Sequence, residues 1–508
     1  MEDEAAAKRR RLEHHRGLGG ASGLSSFHME DLPEEIQPLV LSLLSLKEAA
    51  RTSIVSRNWR MLWTHHPNLC FDGTKNRSND DEDYVKIERA KFIKTVNSIV
   101  QQHSGIGLNK FSIRCSLENK SSCHLDRWIR FATAARAKII NINLWSKKYI
   151  GEPIKNFYHF PLEALGAQDG PFIQALFLAN VSIKPHSDMC GFTKLRRLLS
   201  HSVHIIGDLP GLLLNCCSLE DLEVVECLGV TDLNIPHQLD KLRHLLIYHM
   251  RVQMVEFHVT GLIHFEYKGD VIPIQLHGCS KLEKASIKFK KDNKELGHAF
   301  TAIPSISTVK VLNMCADMDA YHPVWLPQGH TAARSPAFMF TNLRHLTCEI
   351  TILAKDPNRH SDLLQLAHYL AIAPQLETLQ LNMLYDSDSR HRCCWEGEVT
   401  GEGVSCMRRR LGNLKTVYMS GFRCYRARVE LLCGILEMAG PALGLVTLEP
   451  KVTLECARVL NMFIPFSEIR QWARVASERF GKAIAVVRPR RSFPAVNQGE
   501  PSCTPAAA

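Results

Sequence analysis

Chemistry in a folded chain needs nucleophiles, bases or metal ligands held at useful spacing, and these 508 residues include 17 cysteines and 24 histidines. The candidate Cys–His groupings are His201 and His204 with Cys190, and His244 and His249 with Cys227. Such a pair would serve a thiolate nucleophile or a cysteine that carries an acyl group as a thioester. Both groupings lie in or beside alternating apolar stretches, where a hydrogen-bonded structural histidine is the competing reading. His391, Cys393 and Cys394 form a compact set that a loop could wrap around a metal, but no HExxH or CxxC pair accompanies them. No GxxxxGK[ST] loop is present, and Gly105 with Gly107 and Gly17 to Gly20 lack the preceding strand and the correctly spaced third glycine of a dinucleotide site. Hence the sequence predicts no catalytic residues, no metal site and no cofactor.

The remaining cysteines, including the adjacent pairs Cys216–Cys217 and Cys393–Cys394, lack the spacing of a disulfide framework and are expected to be reduced and mostly buried. A net charge of +10 is modest for this length. Arg196, Arg197, Arg243, Arg344 and Arg408 to Arg410 could attract nucleic acid, but Glu220, Asp221, Glu283 and Glu377 interleave with them and break any basic stripe. Apolar runs are too short to cross a bilayer, and acidic then basic residues follow Met1, so neither a membrane partner nor a secretory signal is expected. The expected location is nucleus, cytoplasm or both. Lys8 to Arg11 could be read by nuclear import machinery or be only a solvated tail.

Two kinds of element stand out. The first is a helical cluster over about 33 residues from Asp31 to Trp63. Pro33, followed by Glu34 and Glu35, marks a helix start. Ile36, Leu39, Val40, Leu43 and Leu44 share one face, with Pro38 requiring either a later start near Gln37 or a kink. Ser45 with Glu48 makes a capping box for a second helix, and Ser56 would cap a third carrying Trp59 and Trp63. A unit this small exposes apolar surface unless it is covered by a partner or by the rest of its own chain.

Leu32, Pro33, Ile36, the Leu43–Leu44 pair and the run from Arg51 through Val55 and Trp59 to Trp63 resemble a plant F-box. The resemblance implies docking on the Skp adaptor of a cullin-RING ubiquitin ligase. It places Leu32, Pro33, Ile36, Leu39, Leu43, Leu44, Val55, Trp59 and Trp63 in the adaptor-facing or interface-supporting set, some of them serving only the module's own core.

The second kind of element is a recurring phrase, Leu-x-x-Leu-x-apolar. Nine copies begin at Leu195, Leu219, Leu242, Leu262, Leu282, Val309, Leu343, Leu376 and Leu414. Single phrases of this type also occur on amphipathic helices. Nine in one register, about 20 to 38 residues apart, predict a leucine-rich-repeat solenoid whose strands turn alternate residues inward. Upstream, helices are expected over Tyr84–His103 and His124–Thr133, and strands at Phe111–Ile113 and Ile140–Leu144. The uneven spacing predicts binding loops at Tyr321–Pro336 and Tyr385–Val404.

Leu125 to Ile129, His277 to Glu283 and Phe300 to Pro304 are similar to grass members of the same F-box/repeat family. Leu414, Val417, Gly421–Phe422, Glu430–Leu432 and Leu445 with Leu448 resemble its FBD domain, although Arg423 to Tyr425 replaces the usual Gly or Asn-rich turn. The expected architecture is α/β, a three-helix F-box followed by an irregular solenoid with an FBD-like cap. Its expected division is a disordered basic tail (1–27), the F-box (28–71), a linker (72–83), the solenoid (84–404), the FBD-like region (405–485) and a disordered tail (486–508). The function so implied is a non-catalytic substrate receptor of an SCF-type ligase. It would bind a Skp-type adaptor, through it a cullin, and by its repeats an unidentified target protein. A scaffold outside any ligase and a nucleic-acid-binding repeat protein are the alternatives.

Overall fold

A computed structural model describes residues 33, 36–52, 54, 61–74, 82–117, 121–144, 157–166, 171–189, 191–235, 239–289, 300, 303–319, 340–353, 362–386, 410–450 and 466–487. The expected N-terminal tail and most of both expected binding loops lie outside these residues, as does the C-terminal tail beyond Val487. Val486, expected to open that tail, is the last residue of a strand, Ile484–Val486. Tyr385 is instead part of a strand, Thr378–Asp386.

The repeat phrase becomes structure directly. A 15-stranded sheet takes its strands in simple chain order, from Asn68–Asp72 at one end to Ile484–Val486 at the other. Every pairing in it is parallel; for example, His244 to Tyr248 aligns with Asp221 to Val225 on one side and His264 to Lys268 on the other. The apolar residues of all nine phrases are buried, as in Leu219, Leu222 and Val224 or Leu376, Leu379 and Leu381. Residues between them, such as Glu223, Leu246 and Glu266, point to the opposite, inner face and are half-buried. The sheet starts at Asn68, inside the 28–71 span, and runs on through residues 405–485, because each strand satisfies the edge of the one before.

Repeat length decides the outer wall. From His264 to Lys284 the interval is 20 residues, too few for a strand, two turns and a helix. These short repeats return through second strands instead: Asp232–Ile235, Met254–His258 and Ile274–His277 pair as a three-stranded outer sheet. Tyr158–His159, Val181–Ile183 and His204–Ile205 form another. Longer repeats near the C-terminus have room for helices, Gln365–Ala371, Arg426–Met438 and Phe466–Phe480.

Where strands turn out of the inner sheet, the chain repeats one device. Asn180, Ser202, Glu226 and His249 each follow a strand with φ between 51° and 57°. The amides of Asn180, Ser202 and Glu226 donate to His201, Val225 and Tyr248 of the next strand at 3.1, 2.7 and 2.8 Å. The left-handed turn thus extends the ladder by one bond at a conformational cost of roughly 1 to 2 kcal/mol for a residue with a Cβ.

The C-terminal end matches the expected strand, helix, strand as Thr416–Ser420, Arg426–Met438 and Leu445–Glu449. Its repeat phrase begins two residues before the expected Leu445. Leu443, Val446 and Leu448 are the buried phrase, whereas Leu445 points out. Gly421 takes φ 67° and so turns Phe422 into the core, where its ring meets Trp472 of the last helix at 5.2 Å.

Candidate functional site

The N-terminal module separates its apolar residues into two sets. Helix Ile36–Leu43 begins with the amides of Ile36 and Gln37 bonded to the Pro33 carbonyl, and Pro38 is the third residue of that span, close to the helix start. Ser45 and Glu48 form the expected capping box: the Ser45 amide donates to Glu48 Oε2 at 2.8 Å and the Glu48 amide to Ser45 Oγ at 3.3 Å. These bonds from Ser45 hold the Glu48 carboxyl below the ordinary range. The capping box opens helix Leu46–Thr52. Leu41 and Ala49 are fully buried between the two helices, with Val40, Leu44 and Trp63 packed around them.

The second set faces outward. Leu39 is 60% exposed and Leu43 86%, with Ile36 beside them at 39%. Ile54 and Met61, which the sequence reading did not single out, are exposed as well. Pro33 is also exposed. Leu44 and Trp63 therefore support the module from within, and Ile36, Leu39 and Leu43 form its open apolar face. Leu32, Val55 and Trp59 lie outside the described residues, as does the Ser56 cap.

The module is fixed to the solenoid through histidines. His66 Nε2 donates to the Leu44 carbonyl at 3.1 Å, and the Asn68 amide that opens the first strand donates to His66 Nδ1 at 3.1 Å. From the far side His103 Nε2 donates to the His66 carbonyl at 3.0 Å. Thr64 also receives the Ser104 amide at 2.9 Å.

The inner face of the solenoid is polar and internally paired. Arg197 meets Asp221 at 2.7 Å on that face, and along the edge where the strands begin Lys310 meets Glu283 at 2.6 Å and Glu377 takes both Arg344 and Lys415. Tyr248 donates to Glu266, whose carboxyl is held below its ordinary range mainly by the His264 hydrogen bond. Because these cations from neighbouring repeats are matched by acids, their face carries alternating charge, which suits a protein surface better than a phosphate backbone.

The Cys227 grouping does not assemble into a nucleophile. Its thiol is buried against the Ser200 carbonyl at 3.2 Å, and burial pushes it up to about 12, while His244 pairs with Asp221 on the inner face. Cys190, His391, Cys393 and Cys394 lie outside the described residues. One cluster went unseen in the sequence: Glu256, His258 and His277 come together on the outer sheet. Two come from one strand and the third from the next, so no linear motif could signal them. Among the described residues no helix is long and apolar enough to cross a membrane.

A small helical module with an open apolar face, joined to a parallel-sheet solenoid, defines an F-box/leucine-rich-repeat architecture. Residues 29–71 match the F-box domain, and residues 99–468 match the family described as At1g61320/AtMIF1, LRR domain. The protein belongs to this leucine-rich-repeat family and carries an F-box ahead of its repeats. Its relatives in Arabidopsis thaliana include F-box/FBD/LRR-repeat protein At2g04230, 30% identical over 39% of this chain, and F-box/FBD/LRR-repeat protein At5g53840, 29% identical over 26%. These matches span only 42% and 27% of the relatives' own lengths. Putative F-box/LRR-repeat protein At4g00320 is 23% identical over 78% of both chains. The crystal structure of a TLR13–ssRNA13 complex superimposes on 77% of this chain and 59% of that one, at 11% identity and a TM-score of 0.33.

Proposed function

We propose that the protein is a substrate receptor of an SCF-type ubiquitin ligase. The observation that carries this reading is the outward exposure of Leu39 and Leu43 on a helix whose inner side is already filled by Leu41 and Ala49. Apolar side chains left open beside a complete core suit a helix-in-groove partner, here a Skp-type adaptor that bridges to a cullin. Ile36, one turn before Leu39 on the same helix, enlarges that contact surface. The inner face of the solenoid then holds a target protein, with its paired charges giving selectivity.

The mechanism is proximity. Holding a target lysine near a ubiquitin thioester raises its effective concentration, and the receptor takes part in no covalent step. A nuclear or cytoplasmic location accompanies this role.

Co-purification tests the reading. The intact protein should bring down adaptor and cullin together, and Leu39→Asp with Leu43→Asp should lose both while the solenoid stays folded. Recovery of adaptor without cullin would favour a scaffold outside the ligase.

A further inference from the structure

Glu256, His258 and His277 share the solvent-facing side of the outer three-stranded sheet. Strand Met254–His258 turns Val255 and Phe257 into the core, which leaves Glu256 and His258 on the opposite face. Strand Ile274–His277 lies beside it in parallel register, with His258 directly opposite His277. The two imidazoles stack at 4.3 Å with 24° between their planes. One carboxylate oxygen, Glu256 Oε1, lies 3.2 Å from His277 Nε2 and 3.6 Å from His258 Nε2. One potential ligand atom from each of the three residues falls within 4.8 Å of the other two.

We propose that these three side chains form a binding site for a borderline divalent cation, with zinc as the best match. Zinc bonds to imidazole nitrogen at about 2.0 to 2.1 Å and to carboxylate oxygen at about 2.0 to 2.2 Å in a tetrahedron. Those lengths require donor atoms roughly 3.3 to 3.5 Å apart. The two carboxylate-to-imidazole distances bracket that value, so small side-chain rotations complete the arrangement. Two nitrogens and one oxygen suit zinc and its first-row neighbours, whereas magnesium and calcium favour all-oxygen sets. The backbone register of two paired strands holds the histidines together before any ion arrives, which lowers the ordering cost of binding. His277 is exposed, so the fourth corner faces solvent and takes a water molecule or one donor atom from a docking polypeptide.

Cobalt titration of the full-length protein, with its thiols blocked by alkylation, tests the site. One equivalent of Co²⁺ should bind with visible d–d absorption and no thiolate charge-transfer band, and Zn²⁺ should displace it. His277→Ala and His258→Ala should each weaken binding at least tenfold, with far-UV circular dichroism unchanged. Glu256→Gln keeps the size and hydrogen bonding of the third ligand and should weaken binding with no packing change. Absence of Co²⁺ binding, or binding unchanged in all three variants, would overturn the assignment.

Discussion

His103 donates its Nε2 proton to the carbonyl oxygen of His66 at 3.0 Å, while its Nδ1 accepts the amide of Gly105 at the same distance. Both bonds are made together only by the neutral imidazole, and burial lowers its affinity for a proton against the opposing pull of the His66 carbonyl. One side chain therefore ties the end of helix Glu82–Gln102 to the segment that joins the helical module to the sheet.

The sign of the pH effect follows. The folded-state pKa of His103 lies below its unfolded value of about 6.5, so the unfolded chain takes up the proton first as pH falls. Stability should be at its full value above about pH 6.5 and decline below it, by at most about 1.4 kcal/mol per pH unit from this group. Thermal unfolding between pH 7.5 and 5.5, as set points of roughly that range, should show a shallower slope for His103→Gln than for the natural protein. Equal slopes would remove His103 from the account.

The module's two apolar sets should separate in stability measurements. Leu41→Ala opens a cavity beside Ala49 and should cost about 2 to 5 kcal/mol, enough to unfold the helices. Leu43→Ala removes an exposed side chain and should change stability by less than about 0.5 kcal/mol. Hydrogen exchange over residues 36–52 distinguishes the two.

Much of this architecture was legible in the sequence, for identifiable reasons. Leucines at fixed offsets, such as Leu242 with Leu245 and Ile247, define a strand whose inward side cannot be anything but core, so the solenoid could be read phrase by phrase. The outer strands escaped notice because Leu233 with Ile235 and Ile274 with Leu276 offer only two alternations each. Leu445 misled by type: it is a leucine at a strand start, but Leu443 occupies the buried position. On the first helix, periodicity grouped Ile36, Leu39, Val40, Leu43 and Leu44 as one face. It could not reveal that Leu41 fills the core and that the face divides, since an amphipathic pattern does not distinguish a core neighbour from a partner.

The left-handed positions give a third prediction. Ser202 sits at φ 51°, where a β-branched side chain is strained further. Ser202→Val should destabilise the solenoid by about 1 to 2 kcal/mol, while Ser202→Asn should be near neutral, as read by urea midpoint. Equal effects of the two substitutions would rule out backbone strain as the cause.

Gly229 gives a fourth. At φ 88° a Cβ on this residue would lie 2.0 Å from the Ile205 carbonyl oxygen, so the chain passes too close there for any side chain. Gly229→Ala should lower stability by more than about 1 kcal/mol, and Gly412→Ala, which has open space, should not.

The central claim is that the face bearing Leu39 and Leu43 docks on the Skp-type adaptor. Calorimetric titration of the full-length protein with that adaptor tests it most directly. Leu39→Asp with Leu43→Asp should weaken binding at least 100-fold, about 2.7 kcal/mol or more, with the circular dichroism spectrum unchanged. Undiminished affinity in the folded double variant would contradict the account.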